Sequence, residues 1–502
     1  MEEVAKTLHK KKSNHIVMFP FMAQGHIIPF LALAHKIHNH NNNINITISI
    51  VNTPLNIAKL KSASFPQNLP IQFHELPFNS SDYGLPPDAQ NTDVLPYPLV
   101  IRLITAAASL KPAFTNLISS LAARDGAPPA CIISDIFLGW TVDVAKEFNI
   151  YHAIFCCGGG FGFGCYYSVW VNMPHRKLIN SESTEFVLPD FPEAGKFNTY
   201  QLPANQLQAD GTDPWSTFQA ANLPKWIESD SIMFNTVEEL DSTGLAYFRR
   251  LTKKKIYAIG PVLLPAEHRR RFGKEAGSCK KWLDSKPDNS VMYISFGSNN
   301  TISAPHMMQL AIALETSRVN FIWVVRPPLG FDINSEFREA EWLPEGFVQR
   351  MKDDGDRGLV VHNWAAQVDI LSHAAVSGFL SHCGWGSVME AMSEGVVLLG
   401  WPMAGEQFYN AKFLVEMVGV CVEVARGSRC EVKHEDIAGK IVGVMRGDQK
   451  GEAKQRRAEE VRETVRNAVR DADGSSAKAM DEFLKVTLLV IDFGDLDMAF
   501  EQ

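Results

Sequence analysis

The chain has 502 residues, of which 46% are hydrophobic and 21% are charged, and this is the composition of an ordinary globular protein. The length exceeds that of a single hydrophobic core of typical size, so two domains are expected. The net charge of −8 and the shortness of the basic runs, at residues 10–12, 253–255 and 269–271, argue against a nucleic-acid-binding face.

The cysteines and the apolar runs indicate the cellular compartment of the protein. The eight cysteines include no Cys-x-x-Cys pair, so a zinc knuckle or a redox pair has no support, and their low number fits a reducing compartment. The first apolar run is broken at Pro20 and Pro29, and no later run reaches about 18 apolar residues. We therefore expect a cytoplasmic protein without a signal peptide and without a membrane-spanning segment.

The first predicted elements form a strand–helix–strand unit. Residues 15–21 form a short apolar run, an expected strand, that leads into the turn Gln24-Gly25-His26. Apolar residues then recur at helical spacing, and residues 46–51 are expected to form a second strand. Another strand is expected at residues 130–134, followed by a helix through residues 142–148. This alternation is typical of a parallel sheet with helices on both faces.

The same alternation restarts in the second half of the chain. Four more strands are predicted there, at residues 290–296, 320–325, 358–361 and 376–381. The polar, basic stretch at residues 265–277 is expected to be an interdomain linker. We therefore expect an α/β fold in which two doubly wound, Rossmann-like domains face each other across a ligand cleft.

The expected domain boundaries follow from this alternation. The first domain is expected at residues 1–258 and the second at residues 259–480, with the linker at about residues 262–278. A C-terminal segment, residues 481–502, is expected to pack back on the first domain.

A glycine-rich turn follows the last predicted strand. His382-Cys383-Gly384-Trp385-Gly386-Ser387 lies between this strand and a helix that is expected to end at Gly395. The free N–H groups and the dipole of such a helix N-terminus favour a phosphate, and glycine lets a ligand approach the backbone. Glu390, about one turn into the helix, can accept hydrogen bonds from sugar hydroxyls. Taken alone, such a turn is more often a plain structural connection.

Aromatic and polar side chains flank this turn on both sides. Trp364, with Ala365 and Gln367 beside it, precedes the turn, and Glu406 and Gln407 follow it. A tryptophan after a strand can stack on a nucleobase, and adjacent acid and amide side chains can hold the hydroxyls of a sugar. Each of these residues alone is more often a core tryptophan or a solvated polar residue.

Taken together, residues 364–407 resemble the signature box of the plant family 1 UDP-dependent glycosyltransferases. The spacing of that box is kept by Trp364, Gln367, His373, His382, Cys383, Gly384, Trp385, Ser387, Glu390, Gly395, Val396, Trp401, Pro402, Glu406 and Gln407. The resemblance covers nearly the whole chain, because matching residues also lie before the box. They include the opening segment at residues 20–29, residues 259–262, 282–284 and 295–298, and the run Leu343-Pro344-Glu345-Gly346-Phe347.

This resemblance implies a GT-B fold, an inverting mechanism, a UDP-sugar as donor, and no metal or other cofactor. It places Trp364 against uracil, with Ala365 and Gln367 alongside, and Glu390 on the ribose hydroxyls. The residues expected at the diphosphate are His382, Ser387 and Ser298. The glycines expected to line the UDP-sugar site are Gly25, Gly384 and Gly386.

At the donor sugar the resemblance places Trp385, Glu406 and Gln407. In this family a closing Gln often accompanies glucose, so UDP-glucose is the expected donor. The sequence departs from the family where Ala366 replaces Pro, Gly386 replaces Asn and Glu406 replaces Asp. The second change removes a side-chain donor near the phosphates, and the third lengthens the acid at the sugar by one methylene.

A catalytic pair is expected in the first half. His26 lies where a strand meets a helix N-terminus, and an imidazole with a pKa of about 6.5 can take the proton of an acceptor hydroxyl. Asp135 ends the strand at residues 130–134, where a carboxylate can orient such a base. From the residues alone, a capping or surface histidine and an aspartate that caps a helix remain open. The resemblance assigns His26 as the base and Asp135 as its partner.

The acceptor is expected to bind in the first domain, as in the resembling family. The candidate wall residues are Phe137, Trp140, Phe161 and Phe163. The last two belong to a glycine-rich run, residues 158–164, that lacks the Gly-Lys-Ser/Thr ending of a phosphate loop and is expected to be a flexible pocket wall. These aromatic surroundings suit a flat apolar acceptor such as a flavonoid, another phenolic or a terpenoid.

The function expected from the sequence is that of a monomeric O-glucosyltransferase that makes β-glucosides of small lipophilic plant metabolites. Two alternatives stay open. The first is a C-glycosyltransferase that acts on a phenolic ring carbon, and the second is a catalytically silent protein that binds UDP-sugars. A UDP-sugar epimerase fits less well, because the resemblance extends beyond the nucleotide site.

Overall fold

The structure is a computed structural model that describes residues 13–40, 46–62, 71–178, 182–265, 276–298, 300–428, 430–446, 449–470 and 473–488. Some sequence-based predictions lie outside these residues. They are the basic runs at residues 10–12 and 269–271, most of the predicted linker, and residues 489–502 of the predicted C-terminal segment.

The first half of the chain builds a seven-stranded parallel sheet and a separate antiparallel hairpin. Its strands are β1 (His15–Phe19), β2 (Thr47–Asn52), β3 (Ile71–Glu75), β4 (Cys131–Asp135), β5 (Tyr151–Cys156), β6 (Glu185–Val187), β7 (Lys196–Asn198), β8 (Ser231–Phe234) and β9 (Lys255–Ala258). The order in the parallel sheet is β3-β2-β1-β4-β5-β8-β9, and β6 pairs with β7 in the hairpin.

Helices cover both faces of this sheet, which is why a central strand such as β1 is buried along its whole length and is apolar after His15. The helices of the first half are α1 (Gln24–His40), α2 (Pro54–Ser62), α3 (Tyr97–Ala106), α4 (Lys111–Asp125), α5 (Thr141–Glu147), α6 (Gly160–Asn172), α7 (Ala204–Leu207), α8 (Pro214–Glu228) and α9 (Glu238–Thr252).

The second half builds a six-stranded parallel sheet. Its strands are β10 (Val291–Ser295), β11 (Asn320–Val325), β12 (Gly358–His362), β13 (Val376–Ser381), β14 (Val397–Gly400) and β15 (Cys421–Glu423), and their order is β12-β11-β10-β13-β14-β15. The helices are α10 (Ala276–Leu283), α11 (Ala304–Ser317), α12 (Glu339–Trp342), α13 (Phe347–Asp353), α14 (Gln367–Leu371), α15 (Trp385–Glu394), α16 (Gln407–Phe413), α17 (His434–Met445), α18 (Gln449–Ala468) and α19 (Ser475–Leu488).

These two parallel sheets confirm the predicted fold class. The last described helix, α19, crosses back to the first half, where Phe483 packs its ring against Tyr151 and Tyr257 at centroid distances of 6.4 Å and 5.7 Å. None of the described helices is both long enough and apolar enough to cross a membrane.

The strand register places the loops that carry the site. In the first sheet Phe19 lies opposite Ser134, so the loops that leave β1 and β4 are neighbours. In the second sheet Ser295 lies opposite Ser381, so the loops that leave β10 and β13 are neighbours. Because ligands of doubly wound sheets bind beyond the carboxyl ends of the strands, both pairs of loops are expected at a ligand site.

Candidate active site

A cavity of about 510 Å³ lies between the two halves of the molecule. Its wall includes His26 and Phe137 from the first half and Trp364 and His382 from the second half. His26 and the predicted donor-binding residues therefore line one cavity, whereas Asp135 is not part of its wall.

His26 and Asp135 form a hydrogen-bonded pair beside this cavity. His26 is the third residue of α1, which follows β1, and Asp135 is the last residue of the neighbouring strand β4. The Nδ1 of His26 lies 2.7 Å from Oδ2 of Asp135, whose Oδ1 accepts the backbone N–H of Phe137 at 3.1 Å. A carboxylate can only accept, so Nδ1 of His26 carries a proton and Nε2 keeps its lone pair.

The charges around His26 raise its pKa. Burial is the largest single effect and would lower the pKa, but the charge of Asp135, the hydrogen bond to it and the charge of Glu406 together outweigh it. The side chain of Asp135 is fully buried and that of His26 is 22% exposed, so water screens their attraction little. The pair therefore stabilises the imidazolium that forms when the base takes up a proton.

Gln367 connects two of the predicted nucleotide-binding side chains. Its Nε2 donates to Oγ of Ser387 at 2.9 Å and to Oε2 of Glu390 at 2.7 Å, and its Oε1 accepts the hydroxyl of Tyr293 at 3.4 Å. Gln367 begins α14, whereas Ser387 and Glu390 lie in α15. These bonds hold the Ser387 hydroxyl and the Glu390 carboxylate in fixed positions at the cavity wall, which lowers the entropic cost of binding a ligand there.

The N-terminus of α15 lies at the cavity. Gly384 precedes the first turn of this helix and Gly386 lies within it, and both line the cavity together with Ser298 from the loop after β10. Gly25, at the start of α1, lines it from the first half. The free N–H groups of a first helical turn and the positive end of the helix dipole favour an anion at the start of α15.

His382 packs closely between two glycine-containing turns next to the N-terminus of α15. A Cβ at Gly384 would collide with Nε2 of His382, and a Cβ at Gly297 would lie 2.8 Å from the same atom. Nδ1 of His382 is buried and has no hydrogen-bond partner among the residues that the structure describes. Burial lowers the pKa of His382 to about 4, so the imidazole is neutral at neutral pH and one of its nitrogens can donate to a phosphate oxygen.

Trp364 and Ala365 follow β12 at the rim of the cavity. The indole of Trp364 is 39% exposed although it lines the cavity, whereas Ala365 is buried beside it. A half-exposed indole of this kind offers a flat face on which a planar base can stack.

Glu406 and Gln407 lie at the start of α16 and line the cavity. Oε1 of Gln407 accepts the backbone N–H groups of Met403 and Ala404, each at 3.0 Å, so its Nε2 is turned away from them and can donate. Burial raises the pKa of Glu406, and the charge of His26 acts in the opposite direction. The start of α16 therefore presents an amide donor and a carboxyl group in the same cavity wall as His26, the predicted base.

Trp385 connects the two halves of the molecule. Its side chain is 3% exposed, and its Nε1 donates to the backbone oxygen of Asn235 at 2.5 Å. Its ring also packs so closely on Gly159 that a Cβ there would lie 2.7 Å from it. The residue lines the cavity, and its indole N–H is engaged by the backbone of the first half.

The structure separates the four residues suggested for the acceptor into two groups. Phe137 and Phe163 line the cavity. Phe161 does not, because it lies two residues before Phe163 in α6 and so faces another side, where it stacks on Phe413 at a centroid distance of 5.1 Å. Trp140 also lies outside the cavity wall and packs edge-on against a phenylalanine of β1 at 5.9 Å.

Several cavity residues were missed by the sequence analysis. On the acceptor side these are Tyr97, Asn205 and Trp215, which local sequence does not distinguish from other surface or core residues. On the donor side Arg326 lines the cavity directly after β11, and its place at the carboxyl end of a strand was an available signal.

His26, Asp135 and Cys157 have potential metal-ligand atoms within 4.8 Å of one another. The 2.7 Å between His26 and Asp135 is a hydrogen-bond distance. Ligands that share a tetrahedral zinc ion at bond lengths of about 2.0 Å lie about 3.3 Å apart. Burial and the charge of Asp135 raise the pKa of the Cys157 thiol well above its ordinary value, which disfavours the thiolate that a metal requires. The group is better suited to proton transfer than to holding a metal.

Comparison with known proteins identifies related sequences and structures. Residues 266–452 match the family model for UDP-glucoronosyl and UDP-glucosyl transferase. UDP-glycosyltransferase 92A1 of Arabidopsis thaliana is 49% identical over 439 residues, which are 87% of this chain and 89% of the relative. Crocetin glucosyltransferase 3 of Crocus sativus is 39% identical over 83% of this chain and 88% of its own length. The crystal structure of Medicago truncatula UGT71G1 complexed with UDP-glucose superposes with a TM-score of 0.76 at 25% identity and covers 97% of this chain and 100% of that one.

The chain belongs to the plant family 1 UDP-glycosyltransferases. It has the GT-B fold and is a glycosyltransferase that uses a UDP-sugar as donor and a small molecule as acceptor.

Proposed function

We propose that this enzyme transfers glucose from UDP-glucose to a hydroxyl of a small lipophilic plant metabolite, such as a flavonoid, another phenolic or a terpenoid, and forms a β-glucoside. The observation that supports this most is the His26–Asp135 pair, with 2.7 Å between Nδ1 and Oδ2. His26 lies in the wall of the cavity at which α15 begins, and the buried Asp135 holds it from behind this wall.

The proposed reaction is a single displacement. The acceptor hydroxyl gives its proton to Nε2 of His26 while its oxygen attacks the anomeric carbon from the face opposite UDP. The glycosidic bond to UDP breaks, and the positive end of α15, His382 and Ser387 stabilise the negative charge on the departing diphosphate. One inversion converts an α-linked donor into a β-linked product.

Glucose as the transferred sugar is supported by the start of α16. Gln407 keeps its Nε2 available for a sugar hydroxyl, and Glu406 supplies a carboxyl group next to it. The relative from Crocus sativus is named a glucosyltransferase, and the Medicago structure holds UDP-glucose.

We also propose that the transfer needs no metal or other cofactor and that the enzyme is a cytoplasmic monomer. Neutral His382 and the N–H groups of α15 supply the charge stabilisation that a metal provides in other transferases. The cytoplasmic location rests on the low cysteine content of the chain.

A donor and acceptor screen tests the proposal. UDP-glucose, UDP-galactose and UDP-xylose are each offered with a panel of phenolic and terpenoid acceptors, and products are identified by mass spectrometry. We expect the highest rate with UDP-glucose and a product that acid hydrolyses, because an O-glucoside hydrolyses and a C-glucoside survives.

His26→Ala and Asp135→Ala test the catalytic pair in the same assay. A general base contributes about 10²- to 10⁴-fold to a rate, so we expect kcat to fall by about 100-fold or more in His26→Ala. Asp135→Ala should fall by a similar factor, because the tautomer and orientation of the base are then lost. Turnover close to that of the unaltered enzyme in either variant would contradict the mechanism.

A further inference from the structure

The cavity wall is poor in positive charge. Arg326 is the one arginine or lysine of the described residues that lines it, whereas the acidic residues Asp369, Glu390 and Glu406 all do. The imidazole of His382 is neutral at neutral pH, because burial lowers its pKa to about 4. Since both phosphates of UDP are negatively charged, Arg326 is the permanently charged side chain of this wall that can attract them.

The sheet places Arg326 beside the predicted nucleotide-binding loops. It directly follows β11, which lies between β10 and β12. The loop after β10 carries Ser298, expected at the diphosphate, and the loop after β12 carries Trp364, expected against uracil. Because the carboxyl ends of these three parallel strands form one edge of the sheet, Arg326 lines the cavity between the two loops.

The guanidinium of Arg326 makes no hydrogen bond and no ion pair with any residue that the structure describes. Its Nε is buried without a partner, whereas Nη1 and Nη2 are not buried. An arginine stays charged in this environment, and a partly buried charge without a partner is costly. An anionic ligand in the cavity therefore gains an unused set of N–H donors.

Asp93 of the first half leaves this guanidinium available. Burial lowers the pKa of Arg326 and the charge of Asp93 raises it, so the two side chains attract each other. They form no ion pair, however, and Oδ2 of Asp93 instead accepts Nζ of Lys59 at 2.9 Å and Nε2 of Gln24 at 3.5 Å. Asp93 thus offsets the charge of Arg326 only in part.

We propose that Arg326 is the cation that balances the negative charge of the donor's diphosphate and thereby sets the affinity of the enzyme for UDP and UDP-sugars. In a cleft with protein on both sides, such a charge is screened less than on an open surface. Gly386 contributes no side-chain donor at the start of α15, so more of the attraction falls to Arg326. This inference rests on the proposed place of UDP in the cavity, and it adds a donor-binding residue.

The test compares UDP with uridine, which has the same base and ribose but no phosphate. Dissociation constants are measured by calorimetry, directly for UDP and by displacement of UDP for uridine. Arg326→Gln removes the charge and keeps a polar side chain, so we expect UDP to bind about tenfold more weakly and uridine to bind as before. Arg326→Lys keeps the charge and should keep most of the preference for UDP.

Two control variants separate this role from other effects of charge. Arg338→Gln removes the same charge from the segment that follows β11, but Arg338 pairs with Glu341 at 2.8 Å and does not line the cavity, so UDP binding should not change. Asp93→Asn removes the acid that attracts Arg326, and UDP should then bind equally well or more tightly.

The outcomes decide the role of Arg326 without any glucose transfer, so they are independent of the proposed acceptor and sugar. A loss of UDP affinity that is confined to Arg326→Gln, spares uridine and is restored by Arg326→Lys supports the role. An unchanged ratio of the two dissociation constants in Arg326→Gln, or an equal loss in Arg338→Gln, would overturn it. A similar loss in Asp93→Asn would also overturn it, because Arg326 would then act by pairing with Asp93 across the cleft.

Discussion

Gly386 is the second residue of α15, in the turn that is expected to hold the diphosphate. A Cβ there would meet no other atom within 4 Å, so a larger side chain fits without moving its neighbours. Gly386→Asn would add an amide donor to the N–H groups at this end of the helix, and a hydrogen bond to a charged group is worth about 1.5 kcal/mol or more.

We therefore expect KM for UDP-glucose to fall about tenfold in Gly386→Asn, with little change in kcat, as measured by steady-state kinetics at saturating acceptor. Gly386→Ala occupies the same space without an amide, so it should not show the tighter binding. An equal fall of KM in both variants would mean that backbone stiffening and not the amide causes it.

His26 determines the expected pH dependence of the reaction. Its pKa is raised above the ordinary value of 6.5, and only the neutral imidazole can take the acceptor proton. The value of kcat/KM should therefore rise with pH through a midpoint above 6.5. The imidazolium–Asp135 attraction has the opposite consequence for stability: it is fully present below the unfolded-state pKa and is lost as pH rises through the folded-state pKa.

The charge of Glu406 contributes to that raised pKa, so Glu406→Gln should shift the midpoint of the kcat/KM profile to lower pH. The measurement is a pH–rate profile of both enzymes with one acceptor. A midpoint at or below 6.5 in the unaltered enzyme, or no shift in Glu406→Gln, would show that His26 is not under the influence of these carboxylates.

At the residue scale, sequence predicts best near the carboxyl ends of the parallel strands. Asp135 ends β4, and His26 lies at the start of the helix that follows the neighbouring strand β1, so their positions alone suggest that they meet. Trp385 illustrates the limit, because its hydrogen-bond partner Asn235 lies 150 positions away and gives no local signal. The sequence likewise gives no signal that Oδ1 of Asn205 is buried without a hydrogen-bond partner among the described residues, since this depends on its three-dimensional surroundings.

At the scale of elements, the glycine-rich segment at residues 158–164 differs most from expectation. It was expected to be a flexible pocket wall, and most of it is the first turns of the buried helix α6. The cause is a tertiary contact with α9. The carboxylate of Asp241 in α9 accepts the backbone N–H groups of Gly160 and Phe161 at 2.5 Å and 2.9 Å, and these hydrogen bonds cap the N-terminus of α6. Each strand that was predicted lies within one or two residues of an observed strand, as for β10. The strands β3, β5, β8, β9 and β14 were not predicted, and the three-residue strands β6, β7 and β15 are too short to show a periodicity.

The contact between α6 and α9 depends on Gly244. A Cβ at Gly244 would overlap the backbone of Gly160 and Phe161, and backbone atoms cannot rotate away as a side chain can. Gly244→Ala should therefore push the two helices apart and lower the free energy of unfolding by about 3 kcal/mol, as measured by urea denaturation.

Gly439→Ala is the matched control for this packing effect. Gly439 lies in α17, and a Cβ there would meet nothing within 4 Å. Replacing an unhindered helical glycine by alanine should raise the free energy of unfolding by about 0.5–1 kcal/mol. Effects of the same sign in the two variants would contradict the close approach of α6 and α9.

At the scale of the whole molecule, the two sheets could be predicted from the repeated alternation of strands and helices, but the way their domains meet could not. The alternation is local, whereas the contacts across the cleft join residues far apart in sequence. Lys412 of α16 and Lys196 of β7, for example, are 216 positions apart.

Lys412 is a buried cation that joins the two halves. Its side chain is 4% exposed, and its Nζ donates to the backbone oxygen of Lys196 at 2.8 Å and to Glu416 at 2.6 Å. Nζ also lies 4.8 Å from the centre of the Phe197 ring, which adds a cation–π attraction. Because α16 begins with Glu406 and Gln407 at the cavity and carries Lys412 near its other end, this contact fixes the helix that is expected to hold the donor sugar.

Lys412→Met keeps the length of the side chain and removes its charge and its donors. The Lys196 carbonyl then loses its partner, which should lower the free energy of unfolding by about 1–3 kcal/mol, and the less constrained start of α16 should raise KM for UDP-glucose. Lys440→Met is the matched control, because Nζ of Lys440 donates to the carbonyl of Val424 at 3.0 Å within the second half and does not cross the cleft. A rise in KM for UDP-glucose in Lys412→Met but not in Lys440→Met would show that the contact between Lys412 and Lys196 positions the donor sugar. If both variants lost the same stability and showed the same rise in KM, this contact would have no specific role in donor binding.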